Sequence, residues 1–263
     1  MASALDGSTQ RIALSVIVPV YNEAGTLVPY MRDLVRILDA LPDAPAWELL
    51  LVDDGSNDGS LGAAMRLASE ERRIALCIHD RPYGVGRAMS TGCAHARGDY
   101  AIVLDADLSY GLSTIAELWT SAFTSGADIV IASTCMRGGG LRNVPPLSRW
   151  LIASANWFLS RASGGRVRTL TGVMRLYRMS LLRDMIDGVQ ADAMLPDLLF
   201  EALQRGAHIK EVPATLAWRP EPRGGCPCIR QSAAGKVLAI VRCGLRRRPA
   251  LPLRDRLRDP QTA

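Results

Sequence analysis

The chain has 263 residues, 48% apolar and 22% charged, enough for one large α/β domain or two small ones burying about three quarters of the unfolded surface. A disordered chain is excluded, and 23 glycines, 15 prolines and 6 cysteines scattered without period exclude collagen-like and disulfide-scaffold folds. The formal net charge of +5 is uneven: eleven basic residues crowd Arg219 to Arg258, so that end calls for an anionic partner such as acidic headgroups, a phosphorylated substrate or nucleic acid.

In chain order, Met1 to Arg11 has neither a basic start nor an apolar signal core, and no apolar run reaches the ~18 to 20 residues of a bilayer span. The expected location is therefore the cytoplasm, including the inner face of the membrane. Ile12–Val20 is a continuous β-branched run that predicts a strand, followed by a helix from Glu23 to Leu41 with apolar Leu27, Met31, Leu34, Val35 and Leu38. The unit repeats as Trp47–Val52 with a helix from Gly59, Ile74–Ile78 with a helix from Gly86, Tyr100–Leu104 with a helix Thr114–Phe123, and Asp128–Ala132. Strands that are apolar throughout suit a sheet covered on both faces, so the fold class is α/β with an open, mostly parallel sheet. Gly138, Gly139 and Gly140 predict a flexible joint, after which a smaller lobe holds a helix Leu147–Ser160, a strand Val173–Tyr177, a helix Pro196–Arg205 and a strand Ile209–Thr215. Pro220–Pro227 reads as a loop. Ile229–Leu245 reads as an amphipathic helix that either lies on a membrane or packs as core.

Function in such a sheet lies at the carboxyl ends of the strands. The fourth strand runs into Asp105-Ala106-Asp107, two carboxylates separated by one small residue. Such hard oxygen ligands hold Mg²⁺ or Mn²⁺ and leave positions for water and a substrate diphosphate, although acidic residues also end strands as turn formers. The first strand ends in Pro19-Val20-Tyr21-Asn22-Glu23 and the second in Asp53-Asp54-Gly55-Ser56-Asn57-Asp58. Tyr21 offers a flat face for a nucleobase, and Asp53 or Asp54 an acceptor for its ring N–H. Asn22 and Asp58 equally suit helix N-caps, and Asp54-Gly55 a tight turn.

Three motifs, Ser15–Glu23, Leu51–Ser56 and Ala96–Tyr100 leading into Leu104–Ser109, resemble family-2 glycosyltransferases of the GT-A fold, and among these the dolichyl- and polyprenyl-phosphate sugar synthases. The resemblance implies an inverting transfer from a nucleoside-diphosphate sugar to a polyprenyl phosphate. It implies a donor site of Pro19, Tyr21, Asn22, Glu23, Asp53, Asp54, Ser56, Gly86, Arg87, Asp105, Ala106 and Asp107, with Mg²⁺ or Mn²⁺ on Asp105 and Asp107. In the second half, where the match is looser, it implies an acceptor site of Arg149, Ser154, Arg175, Arg219 and Arg223. The chain departs from that branch at Arg168, where an aspartate is usual, and at Ala132-Ser133-Thr134, where glycine-serine-arginine is usual. The expected organisation is a donor half over 1–135, an acceptor-side half over 136–218 and a basic tail over 219–263.

An ionised lipid phosphate, with a second pKa of ~6, attacks without a general base. A hydroxyl on a small molecule or glycan would instead need a carboxylate base, for which Asp197 is the candidate; beside Pro196 it equally suits a helix start. The loop Gly84–Met89 is not a dinucleotide fingerprint, because Met89 stands where the third glycine belongs. Cys226 and Cys228 lack partners to complete a zinc site. A sugar-phosphate nucleotidyltransferase would carry a glycine-rich arginine loop where this chain has Val20-Tyr21-Asn22-Glu23. A basic, non-catalytic membrane or nucleic-acid adaptor leaves the acidic strand ends unexplained, since these repel polyanions, and no nucleic-acid partner is expected.

Overall fold

The computed structural model describes residues 11–186 and 194–218. The expected residues Arg219 and Arg223, the loop over 220–227 and the amphipathic segment over 229–245 lie outside the described residues.

Seven strands form one sheet in the order β3-β2-β1-β4-β7-β5-β8. Strands β1 (Leu14–Val20), β2 (Trp47–Asp53), β3 (Ile74–Ile78) and β4 (Tyr100–Val103) are mutually parallel, and β5 (Ile129–Ser133) runs parallel to β8 (Ile209–Pro213). Only β7 (Arg175–Arg178) is reversed, inserted between β4 and β5. The expected mostly parallel α/β sheet is the one observed.

The apolar runs are continuous because both faces are covered. Val16, Val18, Leu49 and Leu51 pack with Leu27, Met31, Leu34 and Leu38 of α1 (Leu27–Asp39), Ala64 and Leu67 of α2 (Ser60–Glu70), and Leu118 and Trp119 of α4 (Ser113–Ser125). On the other face Ile17, Leu50 and Val52 meet Ala88, Met89 and Cys93 of α3 (Val85–His95). The same cluster takes in α5 (Pro146–Ala162), α6 (Met179–Ile186) and α7 (Met194–Gln204) through Leu159, Leu182 and Leu198.

Several boundaries differ from expectation for local reasons. Helix α1 begins at Leu27 rather than Glu23, because Asn22 sits at φ 55° and the chain turns before the helix can start. The glycines over 138–140 are not a free joint: Gly140 opens β6 (Gly140–Arg142), which pairs in parallel with β9 (Thr215–Ala217) as a second, two-stranded sheet. The strand expected over 209–215 accordingly divides into β8 and β9, and α6 is a helix the apolar pattern did not announce.

The Ala96–Tyr100 motif works at the amino edge of the sheet, away from the strand ends that carry chemistry. Glu48, 2% exposed, accepts from the Ser15 hydroxyl (2.7 Å), the Arg97 amide (2.6 Å) and Arg97 Nε (2.8 Å), joining β1, β2 and the approach to β4. Glu48→Ala leaves these donors without their acceptor, and urea unfolding should show a loss of about 2–4 kcal/mol; an unchanged midpoint and slope would contradict this role.

Candidate active site

The parallel register brings the carboxyl ends of β1, β2 and β4 to one edge: Val20 lies opposite Asp53, and Ile17 opposite Val103. The two loops that leave β1 and β2 are then stitched together. The Asn22 amide donates to Ser56 Oγ (3.1 Å), the Asn57 amide to Asn22 Oδ1 (3.0 Å), the Glu23 amide to Ser60 Oγ (2.7 Å) and the Ala24 amide to Asp58 Oδ2 (3.1 Å). Asn22 therefore fastens one loop to the other rather than capping α1, whose N-cap is Thr26. Asp58 does bind the start of α2, accepting from the Ser60 amide at 3.0 Å. Gly55 is needed where it stands: its φ is +72°, and a Cβ there would lie 2.6 Å from the Arg81 carbonyl carbon.

The adjacent aspartates divide their work. Asp54 is buried and fully engaged, accepting from the Tyr83 amide (2.9 Å) and Gly84 amide (2.7 Å) and from His79 Nδ1 (2.7 Å). A carboxylate only accepts, so His79 carries a proton on Nδ1, and its Nε2 shares a hydrogen bond of 2.9 Å with the Thr91 hydroxyl. Asp54 thus holds the segment leading into α3, in whose first turn Gly86 is buried and Arg87 exposed. Asp53, 1% exposed, accepts only from the Ser56 amide (3.1 Å) through Oδ2; its Oδ1 is buried with no partner among the described residues. Buried polar atoms are normally satisfied, so an orphan acceptor at a strand end points to a missing donor. Pro19 and Tyr21, both half-buried, flank this position on β1 and its exit.

Beyond β4, Asp105 and Asp107 are half-buried and Ala106 is buried between them. Burial, then the negative charges of Asp107 and Glu23, push the Asp105 carboxyl up to about 7. Asp107 Oδ1 accepts from the Ser109 amide at 2.9 Å. Three carboxylates thus share one field, and a cation would relieve it. All the groups are hard oxygen donors, which fits Mg²⁺ or Mn²⁺. Among the described residues no three acidic, histidine or cysteine side chains form a closed metal cage.

Sequence reasoning passed over Tyr110. It is 4% exposed, its hydroxyl is raised by burial and by Asp105, and it lies where a Cβ on Gly172 would come within 2.8 Å. Its place three residues beyond Asp107, and that of His79 one residue past β3, were the available signals.

The expected acceptor residues are scattered. Arg149 is exposed on α5 and donates to the Leu141 carbonyl at 3.3 Å; Ser154, on the same helix, donates to the Leu151 carbonyl at 3.0 Å. Arg175 is a correction. It is wholly buried in the sheet opposite Val103 and Ile131, donating to the carbonyls of Leu170 (2.6 Å) and Leu195 (2.7 Å), so it braces the interior instead of facing an acceptor. Asp197 lies in the first turn of α7, which begins two residues before the expected Pro196.

The sequence pattern of glycosyl transferase family 2 matches residues 15–186. The chain belongs to this family. It is 29% identical over 208 residues to a dolichol-phosphate mannosyltransferase of Pyrococcus furiosus, across 78% of this chain and 57% of the relative. It is likewise 29% identical over 197 residues to an undecaprenyl-phosphate 4-deoxy-4-formamido-L-arabinose transferase of Salmonella choleraesuis, across 74% and 58%. The chain therefore spans less than two thirds of the length of these curated relatives. In fold it superposes on a mannosyltransferase from Pyrobaculum calidifontis solved with GDP-mannose and Mn²⁺, with a TM-score of 0.64 at 21% identity, covering 93% of this chain and 67% of that one. A glucosyl-3-phosphoglycerate synthase from Mycobacterium tuberculosis, solved with Mn²⁺, UDP and phosphoglyceric acid, gives 0.61 at 18% identity, covering 89% and 78%. The expected GT-A fold is thereby confirmed.

The unequal engagement of the aspartates has a measurable consequence. Asp54→Ala should lower stability by about 2–4 kcal/mol, whereas Asp53→Asn, which keeps volume and meets no buried partner at Oδ1, should stay within about 1 kcal/mol. Urea unfolding of both variants checks the order, and the reverse order would contradict the assignment.

Proposed function

We propose that the chain transfers a sugar, with inversion, from a nucleoside-diphosphate sugar to a polyprenyl phosphate. One observation carries the reading: the unpartnered buried oxygen of Asp53 stands at the same sheet edge as the electrostatically coupled carboxylates of Glu23, Asp105 and Asp107. The first supplies an acceptor for a nucleobase ring N–H, with Tyr21 offering the base a flat face. Asp105 and Asp107 would hold a divalent cation, which when bound neutralises charge on the diphosphate as the nucleotide departs. The curated relatives are named for transfer to dolichol and undecaprenyl phosphates, which supports the same class of acceptor here.

An acceptor phosphate oxygen attacks the anomeric carbon. The bond from that carbon to the diphosphate oxygen breaks, and its electron pair leaves with the nucleoside diphosphate. The acceptor is already ionised near neutral pH, with a second pKa of ~6, so no protein group need remove a proton, and Asp197 is not required as a base. Arg149, exposed on α5, is available to orient the acceptor.

The test is a panel of UDP-, GDP- and dTDP-sugars, scored for metal-dependent thermal stabilisation and then for transfer to a short polyprenyl phosphate. One donor should stabilise the protein with Mn²⁺ and be consumed. Asp53→Asn should weaken its binding by about 10- to 100-fold, the loss of a hydrogen bond to a charged acceptor. Asp107→Ala should abolish the metal dependence. Below about 7 the cation must displace the Asp105 proton, so stabilisation by Mn²⁺ should grow from pH 5.5 to pH 7.5. Metal dependence retained in Asp107→Ala, or donor binding with no transfer to a lipid phosphate, would overturn the corresponding half of the proposal.

A further inference from the structure

Helix α5 carries an apolar stripe that nothing in the described structure covers. Leu147 (70% exposed), Trp150 (66%) and Trp157 (68%) recur with Ser154 and Arg161 at offsets that fall on one side of the helix. Asn156 and Leu159 face the opposite way, into the protein. Two exposed tryptophans one above the other are not explained by packing, because the core on this face of the sheet is built through Leu159.

The charge around this helix is equally one-sided. Between Asp128 and Asp184 the chain has nine arginines and no aspartate or glutamate. Arg137, Arg142, Arg149, Arg161, Arg166 and Arg168 are exposed and form no ion pair with any described residue. Elsewhere many exposed arginines are paired, as Arg32 with Glu70, Arg36 with Asp33 and Arg205 with Glu201, although Arg72, Arg81 and Arg87 are not. Arg142 precedes α5, Arg149 and Arg161 lie on it, and Arg166 and Arg168 follow it. Tryptophan and leucine on one helix face, with unpaired arginines on and beside that helix, suit the boundary between acyl chains and anionic headgroups.

We propose that α5 is a membrane-docking helix that lies in the surface of an anionic bilayer with Leu147, Trp150 and Trp157 among the acyl chains. The occupant is the lipid surface itself. The inference goes beyond the transfer reading, and it assigns the contact to an element other than the basic segment after residue 218.

The test is co-sedimentation of the full chain with phosphatidylcholine vesicles, with and without about one third phosphatidylglycerol and with no polyprenyl phosphate present. Wild type should bind the anionic vesicles, and its tryptophan emission should move to shorter wavelength; Trp47 and Trp119 are already buried and Trp218 is half-buried, so the part of the change that disappears when Trp150 and Trp157 are replaced reports α5. Trp150→Ser/Trp157→Ser should lower partitioning at least about tenfold and lose the emission change, with an unaltered melting midpoint. Arg161→Glu/Arg166→Glu should weaken binding to the anionic vesicles alone. Binding by the tryptophan variant equal to wild type would assign docking to residues 219–263 and overturn the proposal. A wild-type dimer that the tryptophan variant dissociates would show that a second copy covers the stripe, and no vesicle binding by wild type would also overturn it. Because the vesicles contain neither donor nor acceptor, these outcomes are independent of whether transfer to a lipid phosphate is found.

Discussion

The mutual repulsion of carboxylates at one edge of the sheet is the constraint around which the site is organised. Asp105 follows the end of β4, near enough to Asp107 and Glu23 that burial and their charge hold its carboxyl at about 7 instead of the usual carboxylate range. The parallel arrangement makes this unavoidable: β1, β2 and β4 all finish at the same edge, so whatever residue types end those strands must meet. Such an arrangement disfavours the fully ionised state in isolation and rewards any ligand that brings positive charge.

Holding that arrangement requires support from groups that do no chemistry themselves. Asn22 and Ser56 tie the β1 exit to the β2 exit, while Asp54 gathers His79 and two amides so that the segment entering α3 cannot drift. At the other edge Glu48 binds Ser15 and Arg97, fixing the relative heights of β1, β2 and β4 on which the registry of the strand ends depends. Motif residues therefore serve two ends of the same sheet. Asp53 is the exception: its buried Oδ1 is left without a described partner, and the fold gains nothing from it that a neutral side chain would not supply.

The continuous apolar runs of β1 and β2 were legible because strands covered on both faces need apolar residues at every position, and the strand ends followed directly. The reversed direction of β7 was not, since Arg175-Leu176-Tyr177-Arg178 reads the same class of residue in either direction and only its neighbours β4 and β5 decide it. Arg175 misled for a related reason. An arginine in a short strand suggests exposure, but here carbonyl oxygens from Leu170 and Leu195 accept from its two terminal nitrogens in the interior, while its Nε has no partner among the described residues. Asp53 and Asp54 could not be told apart by type or spacing; the difference lies in which of them meets the loop returning from β3, a tertiary fact. The exposure of Trp150 and Trp157 was hidden as well, because apolar residues in a helix are ordinarily taken for core.

The central claim is that the carboxylates after β4 grip a divalent cation together with a nucleoside diphosphate. Its most direct measurement is the electron paramagnetic resonance signal of free Mn²⁺ during titration of the protein with GDP or UDP present. Wild type should remove one ion per chain from solution, and Asp105→Asn/Asp107→Asn, with its fold intact by circular dichroism, should remove no more than the nucleotide does alone. Equal uptake by the two proteins would contradict the account.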